Sequence, residues 1–172
     1  MQKVICLIER ITGSIGLIAA WLVVPLVLAT AYEVLLRYLF DAPTVWAFEI
    51  GYMMMGAHFL LGAAYTLREG SHVRVDLIYA AVSPKTRAII DVTGYLFLIL
   101  PFMLWMSWGL WGYFEAAWSS NETSGHSSWN PVVWPYRLVF FTSFLVLMLQ
   151  VIGEILKGIQ VLLDQSTSGL AN

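Results

Sequence analysis

Apolar residues dominate four stretches of the chain, and polar residues interrupt them at only a few places. The first stretch runs uncharged from Ile11 to Tyr32, between Arg10 and Glu33. The second lies between Glu49 and Arg68, the third between Asp91 and Glu115, and the fourth from Leu138 to Gly153. A helix crossing a bilayer needs about 20 mainly apolar residues. With the flanking aromatic and glycine-containing ends, the pattern predicts spans over about residues 11–36, 45–67, 88–115 and 133–157. Lys3 and Arg10 flank the first run, and Ala29-Thr30-Ala31 offers an A-x-A site. The run is longer than the 7–15-residue core usual in a cleaved signal, so a retained span is expected.

Between the second and third spans the chain turns polar through Arg68, Glu69, His72, Arg74 and Asp76. It then enters Leu77-Ile-Tyr-Ala-Ala-Val82, whose Leu77, Ile78, Ala81 and Val82 share one helical face. Residues 73–82 are too short to cross and are expected to lie along the interface as a short amphipathic segment. Ser83-Pro84 reads as an N-cap followed by proline at the first helical position. A helix from Pro84 to about Ala117 would be roughly 50 Å long and would carry Lys85, Arg87 and Asp91 into water. Pro101 is expected to kink it. Trp105, Trp108, Trp111, Tyr113 and Trp118 crowd its far half and are expected to form an aromatic belt.

Composition agrees with this pattern. The chain of 172 residues is 59% hydrophobic and 12% charged, with a mean hydropathy of +0.75. Soluble domains carry about 25% charged residues, so the fold class is an all-α integral membrane protein of four transmembrane helices in one domain. Lysine and arginine set its orientation. Lys3, Arg10, Arg68, Arg74, Lys85, Arg87 and Lys157 fall on one side, and only Arg37 and Arg137 on the other. Both termini and the middle connection are therefore expected in the cytoplasm. The Asp41 turn and the hydrophilic stretch Ser119–Pro131 are expected outside. The single cysteine, Cys6, excludes a disulfide framework. A net charge of −2 without a basic cluster gives no reason to expect nucleic acid.

Candidate chemistry is sparse. Glu33 and Arg37 are spaced i, i+4, acid first, which suits an ion pair on one helix face. Such groups cost roughly 2.5–3.5 kcal/mol each at a helix centre in the bilayer. Three readings stay open: a pair that locks the first span to the second with Glu49, a patch for a partner, and a proton or ion relay. On spacing alone, Arg37 is expected to matter more for assembly than Arg137, because its loss strands Glu33. Pro43 and Trp46 mark a tight turn and an interfacial anchor. His58 is the one histidine well inside a span. A bis-histidine haem would need a second, so a hydrogen bond at a helix contact is the better reading. His72 and Asp76, at i, i+4 if helical, are too few for a closed zinc site. No nucleophile–base spacing, phosphate loop or metalloprotease motif occurs, and no enzyme, metal, substrate site or cofactor is expected.

The string Arg37-Tyr38-x-Phe40-x-x-Pro43-x-x-Trp46-x-x-Glu49, with Gly70-x-His72-Val73-x-Val75-Asp76 after it, resembles the small membrane subunit of TRAP transporters, the DctQ-like family. The later Trp134-Pro135 helix and the four-span layout fit the same family. The resemblance implies a non-catalytic subunit of a tripartite, sodium-coupled, binding-protein-dependent organic-acid uptake system in the bacterial inner membrane. Its implied partners are a large elevator-type membrane subunit, a periplasmic substrate-binding protein and membrane lipids. Glu33, Arg37, Trp46, Glu49, His72 and Asp76 then carry structural or subunit-interface roles. Asp41, Glu115 and Glu122 are the candidates for docking the binding protein. The alternative is a four-helix membrane anchor or quinone-linked redox subunit, against which the lone cysteine and single intramembrane histidine count.

Overall fold

The computed structural model describes residues 1–70 and 83–168, and these fold into four long helical rods. Helices α1 (Gln2–Trp21) and α2 (Val23–Phe40) form the first rod, and α3 (Ala47–Arg68) forms the second. The third comprises α4 (Pro84–Gly94), a π-helical turn (Tyr95–Ile99) and α5 (Leu100–Ser120); the fourth is α6 (Trp134–Ser168). All four are long and apolar enough to cross a membrane, and the fold is that of an all-α membrane protein with four spans. The rods overrun the expected limits, most of all at Gln2 and Ser168. The apolar pattern marks only the part of a helix that meets hydrocarbon, whereas backbone hydrogen bonding continues into the polar layer. The expected interfacial segment, residues 73–82, lies outside the described residues, as do His72 and Asp76.

Two prolines account for the two interruptions. Proline lacks an N–H and crowds the carbonyl four residues earlier. For Pro25 that carbonyl belongs to Trp21, where α1 ends; the Leu22 N–H is shared between Ile18 O and Ala19 O, at 3.2 Å each. For Pro101 it belongs to Phe97, inside the π-helical turn. The expected kink at Pro101 takes the form of a widened turn just before it.

The rods do not close a four-helix ring: the first, second and fourth pack on one another, and the third packs on the fourth. Helix α6 is the common element and packs against α1, α3, α4 and α5, while α1 also packs on α3. Helix α2 packs chiefly on α3, and α5 on α6. Helix α1 buries Ile5, Ile8, Thr12, Gly16 and Ala19, a 3–4 spacing that makes one face. Helix α5 turns Met103, Ser107 and Ala117 inward. The small core is Leu67, Val151 and Ile155, with Val92, Tyr95, Leu147 and Ile159 packed around it. Two glycines permit close approach: a Cβ on Gly16 would lie 2.6 Å from the Tyr65 ring, and one on Gly56 would collide with the Tyr136 hydroxyl. At the end carrying the termini, Lys157 bonds Glu9 at 2.7 Å and Glu154 at 2.8 Å, tying α1 to α6. His58 Nδ1 meets Ala19 O at 2.7 Å, the helix-contact bond expected of it.

Candidate functional site

The charged residues at the opposite end, where the 41–46 turn and the 119–133 loop lie, form three linked groups. The first joins α2 to the start of α3. Glu33 Oε1 accepts from Arg37 Nε at 3.1 Å and from Arg37 Nη2. Glu33 Oε2 accepts from the Thr44 backbone N–H at 2.8 Å and from the Thr44 hydroxyl. Thr44 Oγ1 in turn faces the Ala47 N–H, at 3.4 Å, where α3 begins. Asp41 ends α2 in the left-handed region, φ 50°, and exposes its side chain. Trp46 stacks on Tyr32, with ring centres 6.0 Å apart and planes 21° apart. Thus Glu33, Arg37 and Trp46 come together around a turn. The acid closes that turn through Thr44, not through Glu49. The Arg37 side chain remains 57% exposed.

Glu49 belongs to a second group. It lies in the first turn of α3, where a carboxylate favours the helix dipole, and it is fully buried. One oxygen accepts from the Ser127 hydroxyl, and Oε2 has no hydrogen-bond partner among the described residues. Ser127 Oγ also accepts from the Trp129 N–H at 3.1 Å, so the carboxylate anchors a turn of the loop. Tyr52 meets His126 edge-on at 6.1 Å and Tyr136 at 5.8 Å. The loop is itself folded. Thr123 and Val132 form an antiparallel bridge, with Ser124 N–H to Pro131 O and Val133 N–H to Glu122 O both at 3.0 Å. Gly125, at φ 68°, donates its N–H to Asn130 Oδ1 at 2.7 Å.

The third group was not foreseen from the sequence. Arg137 sits in the first turn of α6 with its side chain only 9% exposed. It donates to Tyr113 O at 3.1 Å and to the Glu122 carboxylate, and its guanidinium lies 3.6 Å from the Tyr113 ring centre. Glu122, expected as a docking residue, therefore has an internal partner. Glu115 stays exposed on α5. The signal for this group was available: a charge at the head of a sixteen-residue uncharged run must be paired, and Glu122 is the acid of the adjacent polar loop. Trp118 and Trp134 pack edge-on at 4.5 Å beside it.

Chemically, each acid but Asp41 and Glu115 at this end is bonded within the described residues, and the hydroxyls of Thr44 and Ser127 that meet carboxylates are engaged in closing the turn and the loop. No cluster of three metal-ligating side chains occurs among the described residues. The larger grooves are open and apolar: one between α1 and α3 has Gly13, Gly16, His58 and Gly62 along it, and another has Pro25, Ala29 and Met54 between α2 and α3.

No curated protein matches this sequence. The family model described as tripartite ATP-independent periplasmic transporters, DctQ component, matches residues 26–161, well over half of the chain and inclusive of all three charged groups. The chain belongs to the DctQ family, the non-catalytic small membrane component of TRAP transporters.

Proposed function

We propose that this subunit is a static scaffold and docking element in sodium-coupled organic-acid uptake across the bacterial inner membrane. It packs against the fixed part of a large elevator-type subunit, which moves the solute, and it helps seat the periplasmic binding protein. Both termini face the cytoplasm on this reading, in keeping with the lysine and arginine distribution. The 41–46 turn and the 119–133 loop then face the periplasm, where exposed Asp41 and Glu115 are available for docking. Glu33, Arg37, Trp46 and Glu49 act structurally or at the subunit interface, and so do His72 and Asp76.

The observation that supports this reading is that the third rod packs on the fourth without closing a ring, and that the charges near the helix ends are met within the chain, Glu33 by Arg37 and Thr44, Arg137 by Glu122 and Glu49 by Ser127. A solute pathway needs polar groups converging at the midplane between repeats or broken helices, and an elevator needs an immobile wall to slide against. This chain offers the second feature and lacks the first among its described residues. The test is uptake by reconstituted transporter with and without this subunit. Uptake should collapse without it while the binding protein still captures solute. Full-rate uptake by the large component alone would overturn the proposal.

A further inference from the structure

We propose that the trough between α1 and α3, at the end carrying the termini, holds one acyl chain of an acidic phospholipid, whose phosphate is bound by Arg10 and Arg68 at the mouth. The trough has a volume of about 790 Å³ and runs between Gly13, Gly16 and Ala20 on α1 and His58, Gly62 and Ala63 on α3. Basic pockets between transmembrane helices take acidic head groups. Charge and shape both fit this one to such a guest.

Arg68 ends α3, and its guanidinium reaches across to α1: a Cβ on Gly13 would lie 2.5 Å from Arg68 Nη1. The bare backbone at Gly13 is what admits the cation there. Its one carboxylate neighbour among the described residues is Glu69, at 3.8 Å, and that acid is itself exposed. Arg10 precedes Gly13 by one turn and Leu17 by two, on the same side of α1. It is exposed and meets no carboxylate among the described residues. The acids Glu9 and Glu154 at this end are taken by Lys157, at 2.7 and 2.8 Å. Arg37 and Arg137, by contrast, each hold a carboxylate closely. The mouth of the trough thus carries two cations against one distant acid, a surplus that an anion can meet.

The trough below is the length of one leaflet. At 1.5 Å per residue, its α3 wall from Arg68 to His58 is about 15 Å long, half of a hydrocarbon core of about 30 Å. Spread over that length, the volume gives a channel roughly 8 Å across, too narrow to admit a helix of 10–12 Å. Its polar side chains are turned back to the protein. His58 Nδ1 meets Ala19 O at 2.7 Å, and the Thr66 hydroxyl donates to Gly62 O at 3.0 Å. A guest therefore meets cations first and apolar walls beneath them, the order of groups in a phospholipid. Its second chain stays in the bilayer. A free phosphate would use the mouth and leave the trough unfilled. With the termini in the cytoplasm, as proposed above, the lipid belongs to the inner leaflet.

The test places a benzophenone amino acid at Ala63, on the trough wall, in the full-length chain purified with its transporter partners in mild detergent. Dioleoylphosphatidylglycerol, dioleoylphosphatidylcholine or inorganic phosphate is added before illumination, and the adduct on this chain is weighed by mass spectrometry. Phosphatidylglycerol should give at least tenfold more lipid adduct than phosphatidylcholine. Arg10→Gln combined with Arg68→Gln should reduce the phosphatidylglycerol adduct at least tenfold. Gly62→Leu, whose side chain enters open space in the trough, should abolish labelling by either lipid. Gly109→Leu, equally open but on α5, should leave it unchanged. Each variant should melt with the wild type in lipid-free detergent; if the arginine pair does not, Gly62→Leu decides. Equal labelling by the two lipids, labelling that survives both the arginine pair and Gly62→Leu, competition by excess phosphate, or an adduct to a neighbouring polypeptide in place of lipid would each overturn the assignment.

Discussion

The guanidinium of Arg137 lies over the Tyr113 ring, 3.6 Å from its centre, and reaches the carbonyl of the same tyrosine at 3.1 Å. One cation thus ties the head of α6 to both the ring and the backbone of α5, while its other nitrogen bonds Glu122. By contrast, the Arg37 guanidinium leans on one neighbour in its own helix and is mostly exposed.

This contrast reverses the ranking that spacing suggests, at least for the stability of the chain itself. Arg137→Ala should cost about 3 kcal/mol, because it removes a desolvated cation–π contact and strands Glu122. Arg37→Ala breaks an exposed i, i+4 pair and should cost below about 1 kcal/mol. Unfolding of each purified variant in detergent by chemical denaturant reads the difference directly. Equal midpoints would contradict it. Any larger effect of Arg37 should then appear in recovery of the complex, not in the isolated chain.

The Ser127–Glu49 bond should hold the 119–133 loop against α3. A buried acceptor deprived of its donor costs about 1–3 kcal/mol, so Ser127→Ala should destabilise by that amount and speed amide exchange at Trp129 and Asn130. Adding Glu49→Gln to Ser127→Ala should not double the loss, since the two side chains form one contact. A fully additive double-mutant cycle would show that the hydroxyl and the carboxylate do not act together.

Most of the fold was legible in the sequence because hydrocarbon imposes a simple rule: about twenty apolar residues make a rod. Four runs read as four rods. Pro101 marked where the third rod deforms, although a kink there and a π-helical turn before it are indistinguishable by composition; the break before Pro25 in the first rod was not expected. The Glu33–Arg37 pair was legible because i, i+4 neighbours share a helix face. The contacts of Glu33 with Thr44, Glu49 with Ser127 and Arg137 with Glu122 were not. Each pairing joins separate elements, and the last two depend on how a folded loop returns to the layer. The packing of the rods was equally hidden, because hydropathy does not distinguish a face covered by lipid from one covered by another helix.

A proton relay through Glu33 would require a carboxylate free to exchange. Both of its oxygens are instead occupied, by Arg37 and by Thr44. Glu33→Gln should therefore leave the basal proton leak of liposomes holding this chain unchanged. It should lower the denaturation midpoint of the chain through loss of the charge-assisted bonds to Thr44 and Arg37. A fall in leak on that substitution, with the fold intact, would restore the relay.

The two glycines of α3 nearest the loop should answer substitution with opposite signs. Gly56 faces the Tyr136 hydroxyl, and a methyl group there collides with it. Gly56→Ala must push Tyr136 aside and disturb its edge contact with Tyr52, an overpacking cost of about 1–3 kcal/mol. Gly51 has open space where its Cβ would stand, so Gly51→Ala gains helix propensity, worth up to about 1 kcal/mol. Melting of the two variants beside the wild type should place one below it and the other at or above it. A Gly56→Ala variant that melts with the wild type would mean that α3 and α6 do not approach each other at Gly56 as closely as the Tyr136 contact requires, and a drop in Gly51→Ala would mean that its face is not open.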